Sequence, residues 1–301
     1  MASDLLVLVG SGSGHMSGAL AARLGTPVNA VAAERFPDGE TSVRVPDEVG
    51  GRDVYIVQAT SPPVDERVVE LALTVDACRR GGAARVTAVV PYFGYARQDR
   101  AAAGGALGAR VVADLVGQYT HRVVVVDPHG ATLPAAFAVP AEAVTAVPAL
   151  VAELPAVLLA DSVLLAPDLG AAPLAERYGA ALGLPHAIVR KTRLSGSHVR
   201  VEEVIGDVAG RTLVVVDDMI STGGTVLAAL EAARARGANG PATVVATHGL
   251  FVGPASERLA SAGISTLFTT DTVAPKELPV THRVVTVAPL IAGTIVRLHD
   301  R

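Results

Sequence analysis

Asp217 and Asp218 close an apolar run and are followed at once by Met219-Ile220-Ser221-Thr222-Gly223-Gly224-Thr225. Residue types in that order suit one kind of chemistry. Hydroxyls and glycine N–H groups can turn toward one anion, and a helix starting there adds its positive pole. Two carboxylates beside that anion can accept hydrogen bonds from sugar hydroxyls or help hold a metal. A phosphorylated sugar satisfies both halves. Asp followed by Gly-Gly is also ordinary strand-to-helix turn chemistry, but here strand, acid pair, Ser/Thr loop and helix occur together and in order.

Three further segments carry chemistry. In Pro91-Tyr-Phe-Gly-Tyr-Ala-Arg-Gln-Asp-Arg100, Arg97 and Arg100 can bind phosphate in bidentate fashion, and Tyr92, Phe93 and Tyr95 offer faces to stack or line a pocket. Arg35-Phe-Pro-Asp-Gly-Glu40 reads as a hairpin turn; Phe36 can also stack on a base, with Asp38 and Glu40 as acceptors for an exocyclic amine. Arg190-Lys-Thr-Arg193, before Leu194-Ser-Gly-Ser-His198, is a basic cluster in a polar loop. Such a loop can close over a polyphosphate and stabilise developing charge. A surface loop with a structural ion pair, a plain hairpin and a solvated loop are the competing readings.

These residues need elements to position them. Apolar runs at 5–9, 54–58, 86–91, 123–126, 163–166, 186–189, 213–216, 243–248 and 266–270 predict strands. Helical stretches are expected at 16–24, 65–80, 110–119, 173–182, 226–236 and 289–298. Alternation of this kind implies right-handed βαβ units and a parallel sheet. Strands ending in Asp127, Asp168 and Asp217-Asp218 put acids where α/β sheets bind ligands. The pattern runs through both halves, and Pro140, Pro148 and Pro155 punctuate the middle, which places two domains at 1–143 and 144–301.

The chain has 301 residues, half of them apolar, and a formal net charge of -4. That balance argues against general nucleic-acid binding. No apolar run is long enough to span a bilayer, and no charged n-region precedes an apolar stretch at the start, so a cytoplasmic protein with no membrane partner is expected. Cys78 is the only cysteine, which excludes a disulfide framework and a cysteine-based zinc cluster; it reads as filler in a helix.

Taken together, RFPDGE (35–40), VVPYFGYARQDR (89–100), DPH (127–129), APDLG (166–170), KTR (191–193), IGDVAGR (205–211) and DDMISTGGT (217–225) resemble the ribose-phosphate pyrophosphokinase, or phosphoribosyl-pyrophosphate (PRPP) synthase, family. The similarity runs from about residue 34 to about residue 275. It implies two similar Rossmann-like domains of the type I phosphoribosyltransferase fold, each a mostly parallel sheet flanked by helices, with ATP on the N-terminal side and the sugar-phosphate motif in the C-terminal one. The implied reaction moves the diphosphoryl group of ATP to the 1-hydroxyl of ribose 5-phosphate, giving PRPP and AMP. Phe36, Asp38, Gly39 and Glu40 would approach the adenine, and Arg97 and Gln98 would hold ATP. His129 and Asp168 would bind Mg2+, directly or through water. Lys191 and Arg193 would stabilise the group in flight. Asp217 and Asp218 would hold the ribose hydroxyls, and Ser221, Thr222, Gly223, Gly224 and Thr225 the 5-phosphate. Adenine contacts from a neighbouring subunit imply a homo-oligomer, a dimer or higher.

The match has departures. Residues 101–109 carry no charge where the family carries basic residues, so contacts to phosphate or an allosteric nucleotide made there would be missing. Pro128, Ala171 and Leu174 replace Leu, Gly and Arg of the family pattern, and Ser221 stands where many members have Asp. The neutral loop keeps open a non-catalytic regulatory subunit. A phosphoribosyltransferase would share residues 217–225 but leave RFPDGE and YARQDR unexplained. Gly10-x-Gly12 after the first strand is a weak dinucleotide signal.

Overall fold

The computed structural model describes residues 4–101, 103–156, 161–193 and 199–300, with the side chains of 191–193 and 199–202 outside the described part. The chain forms two compact units. In the first, β1 (Leu5–Val9), α1 (Ser17–Leu24), β2 (Val28–Ala30), β3 (Ala32–Arg35), β4 (Thr41–Arg44), β5 (Asp53–Val57), α2 (Val64–Arg80), β6 (Arg85–Val90), α3 (Gly108–Gly117), β7 (Arg122–Val126) and β8 (Ala141–Val144) follow in order. The sheet runs β2-β1-β5-β6-β7-β8, with every pair parallel. β3 and β4 form a separate antiparallel hairpin.

In the second unit come α4 (Val147–Glu153), β9 (Ser162–Ala166), α5 (Ala172–Leu182), β10 (His186–Arg193), β11 (Val199–Ile205), β12 (Thr212–Ile220), α6 (Gly224–Ala235), β13 (Ala242–Gly249), α7 (Ala255–Ser261), β14 (Ile264–Thr270) and β15 (His282–Val285). Its sheet runs β11-β10-β9-β12-β13-β14-β15, parallel except for β10 with β11. Leaving out β11, the order matches the first sheet strand for strand: β9 stands where β1 does, and β12 where β5 does.

The central strands form because their runs are Val-rich and covered by helices on both faces. β1 and β5 are buried at all five positions, as a parallel sheet requires. α2 has Asp65 and Glu66 in its first turn and Arg79 and Arg80 in its last, each matched to the nearer helix pole. The first core gathers Leu8, Ile56, Leu71, Val90 and Val125, with Phe93 edge-on to Phe137 at 5.6 Å between ring centres. The second gathers Leu165, Val215, Leu230, Val244, Leu259 and Leu267. Cys78 is buried in α2, and burial pushes its thiol up to about 12, which fits filler rather than a nucleophile.

One expectation is corrected. A boundary near 143 assigned everything beyond it to the second domain, but the last helix, α8 (Ala288–His299), belongs to the first unit. It packs against α1. Arg85 donates to the Leu298 carbonyl at 3.2 Å, His299 Nδ1 lies 2.7 Å from Asp53, and Arg297 pairs with Glu142. These partners lie some 150 to 250 positions back along the chain, a separation that local patterning does not register.

Candidate active site

β12 supplies the acids and their loop. The strand is buried through Val216, and its Asp217 and Asp218 are the first residues past that core run to reach partial exposure. The Asp218 N–H donates to Asp217 Oδ1 at 2.9 Å. Burial first, then the charges of Asp218 and Asp168, push the Asp217 carboxyl well above the usual carboxylate range. Asp168, at the end of β9, caps the turn beyond it: its Oδ1 accepts from Gly170 N–H at 2.9 Å and Ala171 N–H at 3.2 Å. The structure therefore brings Asp168, just past β9, near the Asp217–Asp218 pair of β12, about 50 positions apart in the sequence.

After Asp218 the chain turns at Gly223, whose φ of 73° is left-handed and makes it the N-cap of α6. Glycine takes that conformation without strain. α6 carries no acidic residue in its first turn, so its positive pole is not offset locally. Ser221 and Gly224 are partly exposed, and Thr222 and Thr225 exposed, which leaves their polar groups accessible to a ligand.

β10 pairs with β9 only over residues 186–188 and then continues as a two-stranded hairpin with β11, with a register shift between Arg190 and Lys191. The basic cluster expected in a loop thus lies on a strand. Arg190 pairs with Glu203 at 3.3 Å. The Lys191 and Arg193 side chains, and the whole of 194–198, lie outside the described residues.

The residues expected to hold ATP lie in the first unit. The loops after β6 and β7 meet, since Asp99 Oδ2 approaches Gly130 so closely that a Cβ there would stand 3.3 Å away. That contact brings the segment of Arg97 and Gln98 to the turn of His129. Arg97 and Gln98 are exposed, and Gln98 Oε1 lies over Gly108 at the start of α3. His129 is partly exposed, after Asp127 at a φ of 34°. The aromatic reading of 92–95 is corrected. Tyr92 and Phe93 are buried in the core, and the Tyr95 hydroxyl binds Asp65 at 2.5 Å. The β3–β4 turn is the hairpin expected, with Glu40 N–H on Asp38 Oδ1 at 3.0 Å and Phe36 N–H on the Glu40 carbonyl at 2.8 Å. Arg35 pairs with Glu66 and fixes the hairpin to α2. Phe36, 45% exposed, presents a free ring face.

Gly10–Gly14 is no dinucleotide loop. Ser11 N–H donates to Glu70 Oε1 at 2.7 Å, its hydroxyl bonds Glu70 Oε2, and Gly12 N–H donates to Gln58 Oε1 at 3.0 Å. Glu70, only 4% exposed and paired with Arg67 at 3.2 Å, occupies the place an anion would take. Sequence reading missed this because Glu70 sits 59 residues away on a helix.

Among the described residues no group of three or more His, Cys, Asp and Glu side chains forms a cage for a metal ion. The donors present still suit magnesium, which keeps several waters and takes one or two carboxylates along with substrate phosphates. A cation held there with substrate phosphates would offset the charges of Asp168 and Asp218 beside Asp217.

Two α/β units with one strand order, one of them ending its central strand in acids and an anion loop, define a protein of the phosphoribosyltransferase fold class. Family models described as the N-terminal domain of ribose phosphate pyrophosphokinase and as the phosphoribosyl synthetase-associated domain match residues 5–119 and 183–301. A ribose-phosphate pyrophosphokinase of Nostoc sp. is 38% identical, covering 98% of this chain and 91% of its own. One of Vibrio vulnificus is 37% identical over 99% and 96%. The crystal structure of phosphoribosylpyrophosphate synthetase from Mycobacterium smegmatis superposes with a TM-score of 0.91 at 33% identity, over 99% of both chains. The chain belongs to the ribose-phosphate pyrophosphokinase family.

Proposed function

We propose that this chain is a ribose-phosphate diphosphokinase. The anomeric oxygen of ribose 5-phosphate bonds to the β-phosphorus of ATP. The bond from that phosphorus to the α,β-bridging oxygen breaks, AMP leaves with the bridging oxygen, and the hydroxyl proton passes to solvent. The products are PRPP and AMP. The observation that carries this reading is the acid pair running directly into an open loop at the positive pole of α6.

In this reading Ser221 to Thr225 receive the 5-phosphate, and Asp217 and Asp218 accept from the ribose hydroxyls. Arg97, Gln98 and the Phe36–Glu40 turn hold ATP, and Lys191 and Arg193 offset charge on the moving group. Transfer of this type asks for positioning and charge neutralisation. His129 and Asp168 would hold magnesium, which supplies charge neutralisation on the phosphate oxygens. The first unit serves ATP and the second the sugar phosphate.

A homo-oligomer is part of the proposal. Leu107, Val111, Leu115 and Tyr119 recur every four positions on and beside α3, all exposed, Val111 at 60%. Val69 and Leu73 on α2 extend that apolar surface, of the kind that marks association. Sedimentation velocity checks it, with a species of at least two chains expected. No helix among the described residues is long and apolar enough to cross a membrane, and a cytoplasmic setting completes the reading.

Phosphorus NMR of the purified chain with ATP, magnesium and ribose 5-phosphate tests the activity. AMP and PRPP are expected together. Absence of both over hours favours a regulatory subunit.

A further inference from the structure

The phosphate loop is held from behind by residues 250–258. Leu250 N–H at 2.9 Å and Phe251 N–H at 3.2 Å both donate to the Ile220 carbonyl, and Val252 N–H donates to the Ser221 carbonyl at 2.9 Å. Arg258 Nη1 donates to the Thr222 carbonyl at 3.0 Å. In a trans peptide the carbonyl and the following N–H point in opposite directions. Holding the carbonyls of 220, 221 and 222 toward this segment therefore aims the N–H groups of Ser221, Thr222 and Gly223 away from it, the side on which Ser221 and Thr222 reach solvent while Gly223 is buried. Those three N–H groups have no acceptor among the described residues.

The three ties on the Ile220 and Ser221 carbonyls are backbone bonds that continue from the β12–β13 ladder, and any sequence can make them. The tie on the Thr222 carbonyl depends on one side chain. The Arg258 guanidinium lies against the first turn of α6, where a Cβ on Gly224 would stand 3.4 Å from Nη1. A cation at a helix N-terminus opposes the helix dipole. No carboxylate among the described residues pairs with it. An arginine in that place is unfavourable in the empty protein and favourable once a dianion arrives.

We propose that Arg258 is a positioning residue for ribose 5-phosphate: it fixes the Thr222 carbonyl so that the Gly223 N–H faces the 5-phosphate. This rests on the reading of residues 221–225 as the sugar-phosphate loop. The residue acts through the loop, so its loss weakens sugar-phosphate binding without touching ATP or the transfer step.

The test compares full-length wild type with Arg258→Gln and Arg258→Lys by steady-state AMP release, by calorimetric titration with ribose 5-phosphate, and by thermal midpoint. In Arg258→Gln the KM and Kd for ribose 5-phosphate are expected to rise about tenfold, the loss of one charge-assisted hydrogen bond. Its kcat, KM for ATP and midpoint stay near wild type. Arg258→Lys, which keeps donor and charge, recovers most of the loss. An unchanged KM and Kd for ribose 5-phosphate in Arg258→Gln overturns the proposal. So does a parallel loss of ATP affinity and midpoint, or no recovery with lysine. A wild type that binds ribose 5-phosphate but releases no AMP overturns the proposed activity alone, and calorimetry then still decides Arg258. A wild type that does neither overturns both.

Discussion

In the first unit the loop after β5, Gln58-Ala-Thr-Ser-Pro-Pro63, folds inward. Ala59 N–H donates to Ser13 Oγ at 2.8 Å, and Thr60 Oγ1 takes the Gly94 N–H at 2.7 Å and donates to the Tyr92 carbonyl at 3.1 Å. In the second unit the loop after β12 holds the same place in the strand order, yet its N–H groups are turned outward. The neighbouring loops differ in the same sense: Gly10–Gly14 closes on the Glu70 carboxylate and the Gln58 amide, while Pro167–Ala171 is capped by its own Asp168. One scaffold thus fills this region with a side-chain carboxyl of its own, and the other leaves its loop unfilled by any side chain among the described residues. Anion affinity in this architecture is decided by which side chain fills the loop, and the strand order alone does not confer it.

The sharpest way to break the comparison is at the hairpin of β10 and β11, which has no counterpart inside the first sheet. Lys191→Ala is expected to lower kcat about a hundredfold or more, as loss of a charge acting on the transition state does, while the KM for ATP changes little. Equal loss of ATP affinity and rate, measured by initial rates, would contradict that role, and a raised KM with kcat unchanged would place Lys191 in ground-state binding instead.

Glu70→Ala tests the closed loop. It removes the acceptor of the Ser11 N–H, the Ser11 hydroxyl and the Arg67 guanidinium, so urea denaturation should find the chain less stable by about 3 kcal/mol. Added inorganic phosphate should raise the midpoint of this variant more than that of wild type, because only the variant offers the vacated place. Equal shifts would mean that the first unit's loop has no latent anion affinity.

Asp53 gives a smaller effect with a pH signature. Burial alone would raise its carboxyl, but hydrogen bonds from Arg85 and then His299 hold it below the usual value of 3.8. Asp4 and Tyr55 also face the cluster, Asp4 at 3.3 Å from His299. A carboxyl lowered on folding stabilises above its unfolded value and loses that contribution as pH falls through the folded one. Asp53→Asn should therefore cost about 2 kcal/mol near neutrality, and the cost should shrink below pH of about 4. Denaturation at several pH values checks it. The smallest effect belongs to Asp217→Asn, where initial rates should give a higher KM for ribose 5-phosphate, by about severalfold, from one weakened sugar hydrogen bond. An unchanged KM would remove Asp217 from the sugar site.

Legibility in the sequence followed the range of the interactions. The Val-rich strands and their helices stand at their expected places within a few residues, because burial on both faces leaves a continuous apolar run. The strand ending in the acid pair, its short loop and the helix after it were legible because the residues are contiguous. Tyr92 and Phe93 were misread because an aromatic beside arginines looks alike whether it faces ligand or core. β2, β8 and β15 are strands of three or four residues at sheet edges, too short for periodicity to reveal. α4 passes through Pro148, which punctuates the sequence yet fits the first turn of a helix. Arg258 and Glu70 left no local trace, since each acts on a loop 36 or 59 residues away.

The return of α8 has a bearing on biogenesis. Asp53, Arg85 and Glu142 leave the ribosome well before their partners Arg297, the Leu298 carbonyl and His299. The first unit must wait, with one flank of α1 bare, until residues 288–299 have been made. A nascent chain stalled before residue 288 would leave apolar surface for chaperones on its first unit, while the second unit is already complete.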